Sequence, residues 1–347
     1  MARRKRLVVD VVELKGSRFQ IGLEQGRRLP STKMADGNGL NRPRRRDFPY
    51  HRAANLLEKF SSHLFNELKG LAKGLDRPLE EVLASYSGYD VLFPEMGCTA
   101  FANEVYYVRN YDFSPELYDA RLVWIRPKNK EGYASVGFSQ HLVGRLDGMN
   151  EKGLVIGLHF VNDRHRQEGF LATTIVRMLL DQCATTEEAV AFIAQVPHGY
   201  CYNYSMLDAN GNRAVVEASP EQQVIHRSAP LRCTNHFEAE ELKRKNRTNI
   251  QGSVARKQYL QSLSEESLDP LALFQRFNNE ASPLFFHRYR EYFGTLHTVV
   301  YSPKDLTVII GVGQNSTPRI FSFKEWLRGT LSLPKTIAGT ISYEESV

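Results

Sequence analysis

With 347 residues, 42% of them hydrophobic, and a net charge of +6, the chain can form one large domain or two around a packed core. No apolar run approaches the roughly 20 residues that span a bilayer. The opening Met1-Ala2-Arg3-Arg4-Lys5-Arg6 leads into Leu7-Val8-Val9-Asp10, where an acid interrupts any signal-peptide core, so a soluble, cytoplasmic, globular protein is expected. The four cysteines, Cys98, Cys183, Cys201 and Cys233, contain no Cys-x-x-Cys pair and are too sparse for a disulfide framework; reduced thiols are expected, and the sequons at Asn203, Asn246 and Asn315 are accidental.

In chain order, the Val-rich stretch Leu7 to Leu14 reads as a buried strand, and Ser17 offers an N-cap for a helix over Arg18 to Leu29. Pro30 to Asp47, rich in Gly, Pro, Asn and Arg, reads as a surface loop. Leu56, Leu57, Phe60, Leu64, Leu68 and Leu71 recur at three- and four-residue spacing, which predicts an amphipathic helix from Ala53 to Leu75; Pro78 opens another. The excess positive charge lies in this first part: residues 1–97 hold 18 Lys and Arg against 12 Asp and Glu, while the remainder balances. Its clusters, Arg3-Arg4-Lys5-Arg6 and Arg42-Pro43-Arg44-Arg45-Arg46, lack the stacking aromatics of single-strand binders, so no nucleic-acid or membrane partner is expected.

Strands follow at Cys98 to Ala102, Val105 to Asn110, Leu122 to Ile125, Tyr133 to Phe138 and Leu154 to Phe160. Asn103-Glu104 fits a hairpin that lays the strand of Arg109 antiparallel to that of Cys98. Helices are predicted over Ala172 to Gln182 and Thr186 to Ala194. Strands come next at Tyr202 to Leu207, Arg213 to Ala218 and Val224 to Ser228, the first two joined by Asp208-Ala209-Asn210-Gly211. A helical region spans Glu238 to Asn278, a further helix is expected near Phe285, Phe286, Tyr289 and Tyr292, and strands at Thr295 to Tyr301 and Leu306 to Val312 close the fold. Helices outside and mostly antiparallel strands between them give a layered α+β architecture.

Gly97-Cys98-Thr99, followed by Arg109-Asn110-Tyr111-Asp112-Phe113, carries the chemistry. Cys98 can be a small buried hydrophobe. As a nucleophile it must be a thiolate, which requires a base or a cation. His141, His159, His236 and His297 lie near strands but lack the context of papain-like proteases. Breaking the Gly97–Cys98 bond would instead give Cys98 a free α-amine of pKa about 8, uniting nucleophile and base in one residue. Gly97, without a side chain, permits a strained bond there. Asp112 could then hold the amine while Arg109 stabilises both thiolate and Asp112; the alternative is a structural ion pair. Asn235, in Cys233-Thr234-Asn235-His236-Phe237, is either an oxyanion donor or the N-cap of the next helix. His and Cys residues lack metal-ligand spacing, and Gly311-Val312-Gly313 is too little for a nucleotide loop, so no metal or cofactor is expected.

In order, Gly97-Cys98-Thr99, Arg109 to Phe113, Asp147-Gly148-Met149-Asn150-Glu151-Lys152-Gly153-Leu154, Gly157-Leu158-His159-Phe160 and Thr234-Asn235-His236-Phe237 resemble N-terminal-nucleophile hydrolases. They look like the penicillin acyltransferase and choloylglycine hydrolase branches, and Gly16-Ser17 through Ile21-Gly22 to Gly26 is similar to the start of the acyltransferase pro-segment. The resemblance implies a four-layer α-β-β-α sandwich, autocatalytic cleavage between Gly97 and Cys98, and action on linear non-peptide amides by hydrolysis or acyl transfer. Residues 1–97 would form a small chain that stays bound to the catalytic chain 98–347, because the Leu56 to Leu71 stripe must remain covered. Carried over by position, Cys98 is the nucleophile, Arg109 and Asp112 its partners, Asn235 the oxyanion amide and Arg256 a second active-site arginine, against a reading of Arg256 as an exposed helix residue. His159 stands where bile-salt hydrolases carry asparagine and penicillin V acylases tyrosine; it is an oxyanion or substrate contact, and neither bile salts nor penicillin is inferred. The expected partner is a small amide, with homo-oligomers open. The competing reading is an uncleaved, non-catalytic binding protein on the same fold.

Overall fold

The computed structural model describes residues 3–29, 48–92, 94–128, 130–162, 164, 166–263, 269–289 and 293–343. The loop expected over Pro30 to Asp47, with its arginine cluster, and Tyr292 lie outside the described residues. Among the described residues the strands form two sheets. The larger, of ten strands, runs in space Gln223–His226, Arg213–Ala218, Cys201–Leu207, Val155–Asn162, Asp147–Asn150, Ser135–Gln140, Arg121–Pro127, Arg3–Gly16 and Thr336–Tyr343, with Gly144–Arg145 paired on Ser135–Gln140. The smaller, of seven, runs Leu231–Cys233, Gly97–Ala102, Tyr107–Phe113, Phe293–Ser302, Thr307–Val312 and Arg319–Ser322, with His287–Arg288 paired on Phe293–Ser302. Of these strand pairs only Arg3–Gly16 with Arg121–Pro127 is parallel.

Helix Ala172–Gln182 covers the outer face of the larger sheet, and helices Gln251–Gln261 and Pro270–Asn278 cover that of the smaller. The sheets face each other across the core, so the order is α-β-β-α and the class α+β. Strands buried on both faces need no polar alternation, which is why Gly97–Ala102, Tyr107–Phe113 and Val155–Asn162 are buried at every residue.

The described residues up to Gly97 are built into this core. Arg3–Gly16 lies between two strands of the later chain, Arg121–Pro127 and Thr336–Tyr343. Helix Arg18–Arg28 starts with a capping box in which Ser17 and Gln20 bond each other's backbone. It packs on helix Tyr50–Leu75, whose Leu57, Phe60, Leu64, Leu68 and Leu71 are buried. The two backbones approach so closely that a Cβ on Gly22 would lie 1.8 Å from the Glu67 carbonyl oxygen, and one on Gly70 2.0 Å from that of Phe19. Gly22→Ala must therefore push the helices apart, and a loss of about 1–3 kcal/mol is expected, read as a lower urea midpoint.

A fully buried ionic cluster ties the same helices to the later chain. Arg18 bridges Glu67 (3.3 Å) and Asp181 (2.8 Å), and Arg177 bridges the same two carboxylates. Arg18 and Glu67 precede Gly97, whereas Arg177 and Asp181 follow it.

Three sequence expectations need correction. No helix holds Phe285 and Phe286: Pro283 interrupts helix formation, and the chain makes a turn and the strand His287–Arg288, with the Tyr289 ring closed over Gly294. The Asn103-Glu104 turn is a four-residue loop, because Ala102 pairs with Tyr107 and the Asn103 side chain accepts from both Val105 and Tyr106 N–H groups. The fold does not close at Val312: Arg319–Ser322, helix Phe323–Arg328 and Thr336–Tyr343 follow, and Trp326 packs against Trp124.

Candidate active site

Strand parity decides what surrounds Cys98. Gly97–Ala102 and Tyr107–Phe113 are antiparallel, with Cys98 opposite Tyr111 and Ala100 opposite Arg109. Side chains two apart share a face, so Cys98, Ala100, Arg109 and Tyr111 all point toward the larger sheet. There Arg109 Nη2 donates to Cys98 Sγ at 2.9 Å and to the Leu158 carbonyl at 2.7 Å, while Nη1 donates to Asp147 Oδ2 at 2.6 Å. Tyr301 donates to the other Asp147 oxygen at 2.7 Å, and His297 Nε2 lies 3.3 Å from Oδ2, its ring stacked on Phe138 at 3.6 Å.

Asp112 sits three residues from Arg109 and so projects from the opposite face. The expected pairing of Arg109 with Asp112 is absent; the carboxylate partner of Arg109 is Asp147. Asp112 instead accepts from Thr295 Oγ1 at 2.7 Å and lies 3.4 Å from Arg256 Nη1, directly beside Gly97 in the register. Asp147 was visible in the sequence only as an acid within a longer motif, without an assigned role; an ionisable residue in an otherwise buried strand is the signal that marks it.

Arg256 is not an exposed helix residue. Only 4% exposed, it reaches from helix Gln251–Gln261 over the Phe286 ring to donate to the Cys98 carbonyl (2.8 Å), Thr99 Oγ1 (2.6 Å) and Asn235 Oδ1 (2.9 Å). Asn235 is not the N-cap of the following helix, which begins at Glu240 behind Ala239. Its Oδ1 accepts the Cys98 backbone N–H at 2.8 Å, and its Nδ2 donates to the Phe160 carbonyl at 2.8 Å, with the Met96 carbonyl at 3.5 Å. His159 faces the same space. Its Nε2 lies 2.8 Å from Ser205 Oγ, which lies 2.6 Å from the Tyr107 hydroxyl, and its Nδ1 has no hydrogen-bond partner among the described residues.

Electrostatics in the single chain keep the thiol protonated. Burial pushes the Cys98 thiol up to about 11; Arg109 and Arg256 pull it down, while Asp112 and Asp147 oppose them. Burial likewise raises the Asp112 carboxyl above its usual range despite Arg256. Burial would raise Asp147 too, but the His297 hydrogen bond, the Arg109 charge and the Tyr301 hydroxyl together hold it below that range. His159 is held well below the ordinary imidazole value, first by burial and then by Arg109, so it is neutral. Among the described residues, no cluster of His, Cys, Asp and Glu could hold a metal ion, and no helix is long and apolar enough to cross a membrane. The four cysteines are free and buried.

The α-β-β-α sandwich of two mostly antiparallel sheets is the fold of the N-terminal-nucleophile hydrolases. The chain belongs to the acyl-coenzyme A:6-aminopenicillanic acid acyl-transferase family, which matches residues 100–317. That stretch begins just after Cys98 and contains Arg109, Asp112, Asp147, His159, Asn235 and Arg256. The protein is thus an enzyme of amide C–N bonds, a hydrolase or an acyltransferase. Among solved structures it is similar to penicillin V acylase from Agrobacterium tumefaciens, at 18% identity over 66% of this chain and 86% of that one, with a TM-score of 0.46. It is also similar to the C2A mutant of conjugated bile acid hydrolase from Clostridium perfringens (12%, 72% and 97%, 0.45) and to the Caenorhabditis elegans ortholog of N-acylethanolamine-hydrolyzing acid amidase (13%, 60% and 93%, 0.40). No curated protein matches it.

Proposed function

We propose that this chain cuts itself between Gly97 and Cys98 and then works as a cysteine amidohydrolase or acyltransferase on small linear amides. The observation that carries this reading is that both ends of one residue are held: the Cys98 sulfur by Arg109 and the Cys98 nitrogen by Asn235. In self-cleavage Sγ bonds to the Gly97 carbonyl carbon, the C–N bond breaks, and the thiol proton passes to the Cys98 nitrogen. Water then hydrolyses the Gly97 thioester, leaving a Gly97 carboxylate and a free thiol on a new N-terminus.

In turnover the α-amine of Cys98 takes the thiol proton and delivers it to the departing amine of the substrate, while Sγ holds the acyl group until water or an acceptor amine removes it. Asn235 Oδ1 steers the α-amine and Arg256 steers Asn235. His159 serves the oxyanion. Its neutral imidazole lies 2.8 Å from Ser205 Oγ, itself 2.6 Å from the Tyr107 hydroxyl, and interacts with the Cys98 backbone, which places the ring beside the reacting residue. Residues 1–97 remain bound after the cut, since their strand is interior to a sheet and their Arg18 and Glu67 share buried ion pairs with Asp181 and Arg177.

The test is the intact mass of freshly made protein under denaturing conditions. Two chains are expected, jointly one water heavier than the precursor, with Cys98 as a new N-terminus; a persistent single chain in a folded preparation would sink the reading and favour a binding protein. Because the thiol titrates at about 11 in the single chain, thiolate increases with pH throughout the neutral range. Self-cleavage is therefore expected to speed up roughly tenfold per pH unit between about pH 7 and 9. A flat profile would remove the thiolate as the limiting species.

A further inference from the structure

On the self-processing reading just proposed, the Arg109 guanidinium has to stay on the Cys98 sulfur although the Asp147 carboxylate, 2.6 Å from its other nitrogen, draws it away. His297 bears on that balance. It stands on strand Phe293–Ser302, whose register with Tyr107–Phe113 slips by one residue: Thr295 lies opposite Asp112 and His297 opposite Tyr111, with Leu296 as the extra residue. In an even register His297 would share the face of Thr295 and Asp112, turned away from the larger sheet. The bulge brings it to the inner face, beside Asp147. Bulges re-aim single side chains in this way, often next to active sites.

Three aromatic rings stack on the imidazole there, Phe138 at 3.6 Å, Tyr111 at 5.3 Å and Tyr118 at 5.7 Å between centroids. Its two nitrogens have different partners, and the chemistry fixes which one carries the proton. Asp147 is ionised and can only accept, so the proton sits on Nε2, 3.3 Å from Oδ2. Burial holds the imidazole below its ordinary value although Asp147 opposes it, so the ring is neutral and Nδ1 accepts the Tyr118 hydroxyl at 2.8 Å. His297 and Asp147 are wholly buried, which leaves Asp147 to its protein donors.

Asp147 Oδ2 is thus shared by Arg109 and His297, while Oδ1 takes the Tyr301 hydroxyl. Neutral donors on a carboxylate weaken its hold on a cation, because they draw on the same negative charge. Without His297, Oδ2 would face Arg109 alone and pull the guanidinium off the sulfur.

We propose that His297 is a positioning residue for the nucleophile: as the Nε2–H tautomer, oriented by Tyr118, it shares Asp147 with Arg109 and so keeps the Arg109 guanidinium on Cys98 Sγ.

The test compares His297→Phe with His297→Gln. Phenylalanine keeps a ring to stack on Phe138 and loses both hydrogen bonds; glutamine loses the ring but can donate an amide N–H to Asp147 and accept from Tyr118. Self-cleavage is followed by intact mass across the neutral range. The phenylalanine variant should cleave at least about tenfold more slowly at each pH, as for a small misplacement of a reacting group, and the glutamine variant should stay within about threefold of wild type. The phenylalanine profile should be displaced to higher pH with its slope unchanged, which a loosened fold would not produce. A phenylalanine variant as fast as wild type, or faster than the glutamine variant, would mean that His297 acts through packing and would overturn the proposal.

A second measurement needs no cleavage. In Cys98→Ala labelled with nitrogen-15 histidine, NMR should show the His297 ring neutral with its proton on Nε2 near pH 7, assigned by its loss in Cys98→Ala/His297→Gln. A charged ring, or a proton on Nδ1, overturns the proposal. A wild-type chain that stays whole sinks the self-processing reading instead, and the NMR result then decides on His297 by itself.

Discussion

Cys98→Ala is expected to yield a folded, full-length single chain that turns over no amide. The substitution removes one sulfur atom from a site where its polar contact is the Arg109 guanidinium, so the sheets on either side keep their packing. Stability should stay within about 1–2 kcal/mol of the wild type, the range for losing one small buried group. Activity should fall to the background of the uncatalysed reaction, because nucleophile and amine base both vanish: no thiol attacks Gly97, so no α-amine is released. The measurement is intact mass with an amide-hydrolysis assay on the same sample. Residual cleavage in this variant would assign the cut to another protease. Cys98→Ser separates the two roles: it should process slowly and lose most amidase activity, since a hydroxyl is the poorer nucleophile near neutral pH.

Arg109→Met should do comparable damage by a different route. Arg109 is fully buried, and it joins Cys98 Sγ to Asp147 while both its neighbours and its burial act on its charge. Burial works against that charge, and Cys98 and Asp147 more than offset it. Removing the cation leaves the Asp147 carboxylate buried with only the neutral donors of Tyr301 and His297. Breaking a buried pair in this way costs about 3–5 kcal/mol. Self-cleavage at neutral pH should also slow by about 100-fold or more, since Arg109 is the largest influence lowering the Cys98 thiol.

The pH dependence gives the sign. In the wild type Asp147 titrates below its unfolded value, so it contributes stability above that value and loses it as pH falls through the folded one. Without Arg109 the carboxyl should titrate above its unfolded value, and the variant should regain stability as it is protonated. The stability gap between the two proteins should therefore narrow toward acid pH in urea titrations; a constant gap would mean that Arg109 acts through packing alone. Arg109→Met/Asp147→Asn should recover part of the loss, because neither charge is then left alone.

Much of this protein is local. Helix Ala172–Gln182 and strand Arg213–Ala218 fall where periodicity and turn chemistry place them, because amphipathic spacing and a Gly-containing hairpin act within a dozen residues. The same holds for the helix from the first third of the chain, whose leucine stripe meets the core. Less legible were segments whose partners lie far away. Thr336–Tyr343 sets Ile337 and Ile341 among small and polar residues with no strict alternation, and it becomes a strand by pairing with Arg3–Gly16. Phe285 to Tyr289 carries aromatics at helical spacing, yet a proline and the close approach over Gly294 decide its path.

The candidate site divides in the same way. Cys98, Arg109, Asp112, His159, Asn235 and Arg256 can all be picked out from motifs, since each is a chemically distinctive residue in a short pattern. Which of them touch cannot. Arg109 and Asp112 are three apart, and only once both are known to lie on one strand does the two-residue period send them to opposite faces, one to Asp147 and the other to Gly97. Asn235 and Arg256 meet Cys98 across separations that no local pattern encodes, through hydrogen bonds closed when strand Leu231–Cys233 pairs with Gly97–Ala102 and helix Gln251–Gln261 packs behind it. By itself the sequence determined the class of fold and singled out the chemically distinctive residues, because propensity and residue type are local properties. Tertiary structure alone decided the pairings, the raised thiol and the fit around Gly97, because burial and distance between remote residues exist only after the sheets have closed on each other.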